Sequence, residues 1–336
     1  MTDAKDSKPF LEVKGLKQYF PIKGGLFGQT TAYIKAVDGI DFTVNKGETI
    51  SIVGESGCGK STTGRSILRL EKANAGQGFF DGVDLLSLSK NKMRNMRGDI
   101  QIIFQDPFAS LNPRQTVYQI LDEAMTIQKI GSKANRRQDI INLLGTVGLA
   151  EHQMNRFPHE FSGGQRQRVG IARALSVRPK LIICDEAVSA LDVSIQAQVL
   201  NLLKDLQRRF GLTYVFISHD LGVVRHISDR IIVMYLGKVM EVADKKALFD
   251  NPGHPYTYAL LSAIPSTKMD EPKKRVILQG DVPSPINPPK GCRFHTRCPY
   301  AKEECGEVEP PLYDVAEGQM ASCHLLKDGP VDYSSM

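Results

Sequence analysis

Residues 48–62 read Glu-Thr-Ile-Ser-Ile-Val-Gly-Glu-Ser-Gly-Cys-Gly-Lys-Ser-Thr, and no other stretch constrains the fold as strongly. Residues 50–53 are a short apolar run of the kind that forms a buried strand. Gly54, Gly57 and Gly59 then turn the chain, and residues 63–70 follow with helical spacing. G-x-x-x-x-G-K-S between a strand and a helix is a phosphate-binding loop. Glycines let consecutive backbone N–H groups converge on one anion, and the helix behind them adds its positive end. The candidate cradle is Gly54, Glu55, Ser56, Gly57, Cys58, Gly59, Lys60, Ser61 and Thr62. In it Lys60 supplies a point charge for β- and γ-phosphates, and Ser61 a hydroxyl for Mg²⁺.

At 336 residues and 41% hydrophobic, the chain can bury a large core and has room for two or three units. Its net charge of +6 is a mild excess, suited to nucleotide binding or to a membrane-apposed position, and equally to plain solvated surface. Residues 1–8 are polar, carry Asp3 and Asp6, and lack the apolar segment of a signal peptide. No apolar run nears the ~18 residues of a membrane span, so membrane association is expected to come through a partner. Six cysteines without an export signal point to thiols, metal or cluster ligation rather than disulfides.

Ahead of the loop, residues 10–13, 33–37 and 40–44 read as strands, and residues 45–47 as a turn. The Tyr19-Phe20 pair beside Pro21 either stacks on an adenine face or packs in the core. Residues 100–104 form an apolar strand that Gln105-Asp106-Pro107 ends, because Pro cannot continue a central strand. Gln105 can reach a metal or water through its side-chain oxygen, or is an ordinary polar loop residue. Residues 115–150 follow the helical period in two pieces separated by Gly131-Ser132. Ser162 stands as an N-cap with Gln165 three residues on, a capping box, and Gly163-Gly164 expose N–H groups at the helix start as a second anion site. Arg166, Arg168 and Arg173 add positive charge there; the plainer alternative is an ordinary capped basic helix.

Four apolar residues, 181–184, form another buried strand that ends in two carboxylates. Asp185 can hold Mg²⁺ and Glu186 can polarise an attacking water as general base; the alternative is a salt-bridged acidic turn. Residues 193–209 read as an amphipathic helix and 212–217 as a strand before His219, which contacts a γ-phosphate or is merely structural. Residues 231–243 read as a hairpin turning at Gly237-Lys238. Residues 251–290 are rich in Pro and Gly with one helical piece near 256–264, which marks the boundary to a C-terminal module.

In that module Cys292, Cys298, Cys305 and Cys323 are spaced C-x5-C-x6-C-x17-C. Four thiols suit a tetrahedral zinc or an iron–sulfur cluster, though the spacing lacks the paired C-x2-C of zinc ribbons, and unligated thiols remain an alternative. His295 and His324 are substitute ligands or bystanders, while Cys58 and Cys184 read as small packing residues.

The loop, Gln105, Ser162-Gly-Gly-Gln165, Asp185-Glu186, Ser189-Ala-Leu-Asp192 and His219 occur in an order that resembles ATP-binding cassette proteins over residues 10–265. Residues 104–114, Asp192-Val-Ser-Ile-Gln196 and His254-Pro-Tyr256 resemble more narrowly the ATP-binding subunits of bacterial oligopeptide/dipeptide importers. The resemblance implies an α/β P-loop NTPase of the ABC type, a RecA-like core with antiparallel β and α-helical subdomains, plus a small irregular Cys-rich C-terminal domain. It implies an ATP-binding domain over residues 1–250, with its helical subdomain at about 107–168, and an oligopeptide/dipeptide-transporter C-terminal domain over 251–336. The substrate is then ATP, with Mg²⁺ held by Ser61, Gln105 and Asp185, hydrolysed with Glu186, His219 and Gln105 as the catalytic set.

Two ATPase chains would form a head-to-tail sandwich, each ATP lying between Lys60 and the partner chain's Ser162, Gly163, Gly164 and Gln165 segment. Gln105 would sense the γ-phosphate, Asp192 would communicate between the sites, and Tyr19 or Phe20 would stack on adenine. The implied partners are a paralogous ATPase subunit in a heterodimer, two transmembrane permease subunits and an extracytoplasmic peptide-binding protein, without nucleic acid. The implied place is the cytoplasmic face of the membrane, peripherally. The resemblance further implies a [4Fe-4S] cluster at the four cysteines, with Zn²⁺ as the alternative. Importers of nickel, an opine or a cell-wall peptide belong to the same subfamily, whereas a soluble cassette ATPase acting on ribosomes or DNA would carry two cassettes or long arms. The chain departs from the cassette pattern at Phe161, where Leu is usual, and at Ala187, where Pro is usual. Losing that Pro frees φ and restores an N–H.

Overall fold

A computed structural model of the chain describes residues 8–24, 28–106, 110–264, 276–331 and 333. Pro107, expected to end a strand and to open the helical subdomain, lies outside the described residues, as do residues 1–7 and 265–275. The chain divides into two compact units, one of residues 1–45, 50–87 and 219–336, the other of residues 46–49 and 88–218.

Strands β1 (Leu11–Gly24), β2 (Gln29–Val44), β3 (Thr49–Val53), β4 (Ala75–Phe80) and β5 (Val83–Asp84) come first in the chain. Strands β6 (Ile100–Ile103), β7 (Leu181–Asp185) and β8 (Thr213–Ile217) follow, and β9 (Arg230–Tyr235), β10 (Lys238–Asp244), β11 (Tyr313–Ala316) and β12 (Gln319–Ala321) close it.

In the first unit an antiparallel sheet runs β2-β1-β4-β5. The expected strands at residues 33–37 and 40–44 are one strand, β2, and the expected 10–13 extends to Gly24 as β1. Register shifts between the two absorb the interruptions, and Gly15 and Gly39 take positive φ of 54° and 76° there. Pro21 is tolerated within β1 because β4 pairs only with Leu11 to Lys17, so the Pro21 stretch pairs on one side alone. The same unit contains a second sheet run in which β3 pairs parallel with β9, and β9, β10, β12 and β11 pair antiparallel in that order. The hairpin from β9 to β10 turns at Leu236-Gly237, one residue from its expected place.

The cysteine-rich segment is not a separate domain, as the sequence had suggested. Strand β12 extends the sheet by pairing with β10. Cys292, Phe294 and Cys305 share one buried core with Val53, Leu221, Tyr235 and Tyr256. The reason is area: residues 292–305 offer too few apolar side chains for a core of their own and complete one that already exists. Glu241 anchors this arrangement. Fully buried on β10, its carboxylate accepts the backbone N–H groups of Gly253 (2.8 Å) and His254 (3.0 Å) and the side-chain amide of Gln319 on β12 (2.8 Å). His254 in turn caps the helix Pro255–Ser262 by accepting the Tyr256 N–H at 3.0 Å, and burial lowers its pKa to about 3, so it is neutral there.

The second unit is built on the parallel run β6-β7-β8. β7 and β8 are buried along their whole length, the mark of strands covered on both faces. Helices Val117–Ile127 and Arg136–Thr146 fall where the 3.6-residue period placed them, and Val193–Phe210 ends on Gly211 in the left-handed conformation. Among the described residues no helix is long and apolar enough to cross a membrane.

Removing the Glu241 carboxylate orphans three buried donors at once. Glu241→Ala is expected to destabilise the first unit by ~3 kcal/mol or more, read as a lowered midpoint in urea unfolding; an unchanged midpoint would contradict the anchoring role.

Candidate functional site

The first unit carries the loop. Strand β3 is completely buried and delivers the chain to Gly54, and the helix Lys60–Ile67 begins at the lysine itself. Two glycines are required by close backbone approach. At Gly54 (φ 149°) a Cβ would stand 2.1 Å from the Met234 carbonyl oxygen, and at Gly59 (φ 106°) 2.1 Å from that of Ala36. Lys60 is 4% exposed, and its Nζ donates to the carbonyl oxygens of Gly54 and Glu55, each at 2.9 Å. A lysine already desolvated inside the loop offers its charge to an anion at little further cost. Cys58 is buried beside it; burial raises its pKa, although Lys60 pulls the other way, which makes it the packing residue expected rather than a nucleophile.

Glu55 is engaged through its N–H, its carbonyl and its carboxylate. Its N–H donates to the Tyr256 hydroxyl (3.0 Å), its carbonyl accepts Lys60, and its carboxylate accepts both terminal nitrogens of Arg297 (2.7 and 3.3 Å). A parallel connection starts at Tyr19, whose hydroxyl donates to Asp38, while the other Asp38 oxygen accepts from Arg293. Burial and then the Asp38 carboxylate push the Tyr19 hydroxyl up to about 12. Burial alone would raise Asp38, but the Tyr19 hydroxyl and the Arg293 guanidinium outweigh it and hold that carboxyl below its ordinary value. Phe20 is half-buried next to it. His219 is exposed, immediately ahead of the helix Leu221–Ile227.

The second unit carries the carboxylates. Asp185 ends β7 and is 1% exposed. Glu186 follows with φ 49°, an uncommon conformation for a non-glycine residue, held by its N–H to the Ile217 carbonyl (3.0 Å) and by Ser189 Oγ donating to its own carbonyl (3.0 Å). The Glu186 carboxylate accepts the side-chain amide of Gln105 at 2.8 Å, so the structure brings together two of the three expected catalytic residues. Ala187 is buried, as is Phe161. The capping box is formed: Ser162 Oγ accepts the Gln165 N–H (3.4 Å), and Gln165 Oε1 accepts the Ser162 N–H (3.1 Å). The arginines of that helix serve the backbone: Arg166 donates to Pro158 O (2.7 Å), Arg168 to Val147 O (2.7 Å) and Arg173 to Ser110 O. Each of the three thus has a structural partner while keeping its positive charge. Asp192 is the exposed N-cap of Val193–Phe210.

Cys292, Cys298, Cys305 and Cys323 line one small cavity of about 10 Å³, together with His254, Phe294, His295 and His324. All six cysteines of the chain are free. Burial first, and the neighbouring thiols after it, push Cys298 up to about 12 and Cys323 to about 11, so thiolates there need a cationic group to form. Among the described residues no group of three His, Cys, Asp or Glu side chains is placed to hold a single metal ion. The ring nitrogens His295 Nδ1 and His324 Nε2 pair with the carbonyls of Cys292 (2.8 Å) and Val308 (2.9 Å), which fits bystanders.

Arg293, Arg297 and Asp38 were not singled out from sequence. The only signal was positional: each arginine sits one residue from a cysteine, and Tyr256 sits in the His254-Pro-Tyr256 motif.

Residues 37–189 match the family described as ABC transporter, and residues 240–305 the oligopeptide/dipeptide transporter C-terminal region. The chain is 54% identical to the oligopeptide transport ATP-binding protein AppF of Bacillus subtilis, over 96% of this chain and 99% of that protein. It is 53% identical to a putative peptide import ATP-binding protein of Brucella ovis, over 94% and 97% of the two chains. Among solved structures it resembles the dimeric ATP-binding cassette MJ0796, at 30% identity and a TM-score of 0.63 over 70% of this chain and 98% of that one. The post-hydrolysis form of that cassette, bound to ADP and phosphate, superposes with a TM-score of 0.62 at 30% identity, again over 70% and 98% of the two chains. The chain belongs to the ATP-binding proteins of the oligopeptide/dipeptide ABC transporter family.

Proposed function

We propose that this chain is the ATP-hydrolysing subunit of an importer of oligopeptides or dipeptides, seated peripherally on the cytoplasmic face of the membrane. The observation that carries the reading is the 54% identity, along 96% of the chain, to a protein named for oligopeptide transport. Residues 1–250 serve as the ATP-binding domain, with residues of about 107–168 as its helical part, and residues 251–336 as the transporter-specific C-terminal region.

The loop N–H groups and Lys60 hold the β- and γ-phosphates, and Tyr19 or Phe20 stacks on the adenine. The hydrogen bond that orients Tyr19 toward Asp38 supports Tyr19. Bound Mg²⁺ would neutralise phosphate charge, and the Ser61 hydroxyl, the Gln105 amide oxygen and the Asp185 carboxylate are the hard oxygen donors such an ion takes. Water attacks the γ-phosphorus, the bond to the β–γ bridging oxygen breaks with its electron pair going to ADP, and Glu186 accepts the proton. The 2.8 Å bond from Gln105 to Glu186 occupies the base, so Gln105 turning toward the γ-phosphate would release it. His219 positions the γ-phosphate, and Asp192 reports across the dimer. The Ser162–Gln165 segment of a paralogous second ATPase subunit covers the nucleotide, with its helix end toward phosphate. Two transmembrane permease subunits and an extracytoplasmic peptide-binding protein complete the assembly, and nucleic acid has no place in it.

In the reconstituted complex, addition of peptide with its binding protein is expected to stimulate ATP hydrolysis. Lys60→Ala weakens ATP binding, whereas Glu186→Gln keeps binding and lowers kcat by about 10²-fold or more. Normal turnover in Glu186→Gln would remove it as the base, and hydrolysis indifferent to peptide would remove the transport reading.

The finer reading of the cysteines is a structural [4Fe-4S] cluster held by Cys292, Cys298, Cys305 and Cys323. Its support is that four free thiols face one cavity; loading it requires that cavity to widen. A tetrahedral zinc, with Zn–S bonds of about 2.3 Å, is the alternative occupant of the same four thiols. Anaerobically purified protein is expected to absorb in the visible and to contain iron; a colourless, zinc-loaded sample would overturn the cluster.

A further inference from the structure

The phosphate-binding loop is gripped from outside its own motif. Glu55 has its N–H on Tyr256, its carbonyl on Lys60 and its carboxylate on Arg297, so every polar group of this residue is held. The Arg297 side chain is 9% exposed and lies over the ring of Tyr235 at 5.9 Å. Tyr235, Tyr256 and Phe294 pack against one another with centroids 4.9–5.4 Å apart, so the clamp has an aromatic backing. A two-pronged, largely buried arginine–carboxylate pair differs in kind from a surface ion pair, because its geometry is fixed and its loss strands a charge.

Four residues earlier, Arg293 is 7% exposed and donates to the Leu236 carbonyl and to Asp38, which holds the Tyr19 hydroxyl. The two arginines flank Phe294 and stand next to Cys292 and Cys298 respectively. One short turn of the C-terminal region therefore grips both the phosphate end and the aromatic end of the nucleotide-binding residues in this unit.

We propose that Arg297, acting through Glu55, and Arg293, acting through Asp38, are positioning residues that set nucleotide affinity from the cysteine-bearing turn. The proposal rests on the reading of the loop as the ATP site. Glu55 supplies one of the carbonyls that Lys60 holds, so a displaced Glu55 misdirects both the lysine and the N–H groups that receive phosphate. Arginine is needed rather than lysine, because only a planar fork engages both carboxylate oxygens.

The test uses the full complex and titrates a fluorescent ATP analogue, alongside steady-state hydrolysis. Arg297→Ala is expected to raise the nucleotide Kd and the KM for ATP about tenfold, near the lower end for losing a charge-assisted hydrogen bond. At saturating ATP, kcat stays within about twofold, because Arg297 acts on the loop through Glu55 and so sets binding rather than the chemical step. Glu55→Gln should weaken binding similarly, and the double variant Glu55→Gln/Arg297→Ala should be no weaker than the worse single one. Arg297→Lys, which keeps charge and bulk, guards against misfolding and should fall between wild type and Arg297→Ala. Wild-type affinity in folded Arg297→Ala, additive single effects, or a fall in kcat without a change in KM would each overturn the proposal. A wild-type complex that binds no analogue would instead sink the reading of the loop.

Discussion

Arg297 and Glu55 meet through two hydrogen bonds, and the first unit is organised around that meeting. A phosphate-binding loop must keep a run of N–H groups aimed at one point, and Gly54, Gly57 and Gly59 reach the positive φ this needs at the cost of chain entropy rather than of strain. Here that ordering is supported from outside the loop: Tyr256 takes the Glu55 N–H, Arg297 takes its carboxylate, and Gly237 donates its N–H to the Cys58 carbonyl at 2.9 Å. Those contacts come from the β9–β10 turn and the C-terminal region, both far away in sequence. The transporter-specific C-terminal region is thereby part of the scaffold of the nucleotide loop, and Glu241, which fixes the 253–254 backbone and β12, is the base on which it stands.

The second unit solves a different problem with the same economy. Parallel strands buried on both faces end at one edge, and residues just past those ends share a small volume. Asp185 ends β7, Glu186 stands just past it and Gln105 just past β6, so pairing β6 beside β7 is what allows the 2.8 Å contact between Gln105 and Glu186. The φ of 49° at Glu186 breaks the extended backbone of β7 directly after Asp185. Ala187 follows without the ring and restrictions that a proline imposes on its predecessor.

Much of this was legible in the residues. The loop, the Ile-rich strands before Asp185 and Gln105, and the Ser162–Gln165 capping box depend on neighbours along the chain, where short-range rules apply. What was not legible depends on tertiary pairing. Nothing in Tyr-Ile-Lys-Ala-Val-Asp-Gly-Ile told that β2 runs unbroken past Gly39, because the partner strand's bulges absorb the irregularity. Arg293 and Arg297 looked like neighbours of cysteines, and only the fold delivers them to Asp38 and Glu55, more than two hundred residues away in sequence. The cysteine segment looked like a module because its composition changes, yet Cys292 and Phe294 finish a core begun by Val53 and Tyr235.

Loop and cysteine-bearing turn, tied through Glu55 and Arg297, form one mechanical piece that answers to nucleotide. Hydrogen exchange of the backbone amides in the assembled complex, with and without Mg²⁺-ATP, tests it most directly. ATP is expected to slow exchange across residues 55–61 and, in step with it, across residues 292–298. Protection confined to the loop, with residues 292–298 exchanging as before, would contradict it.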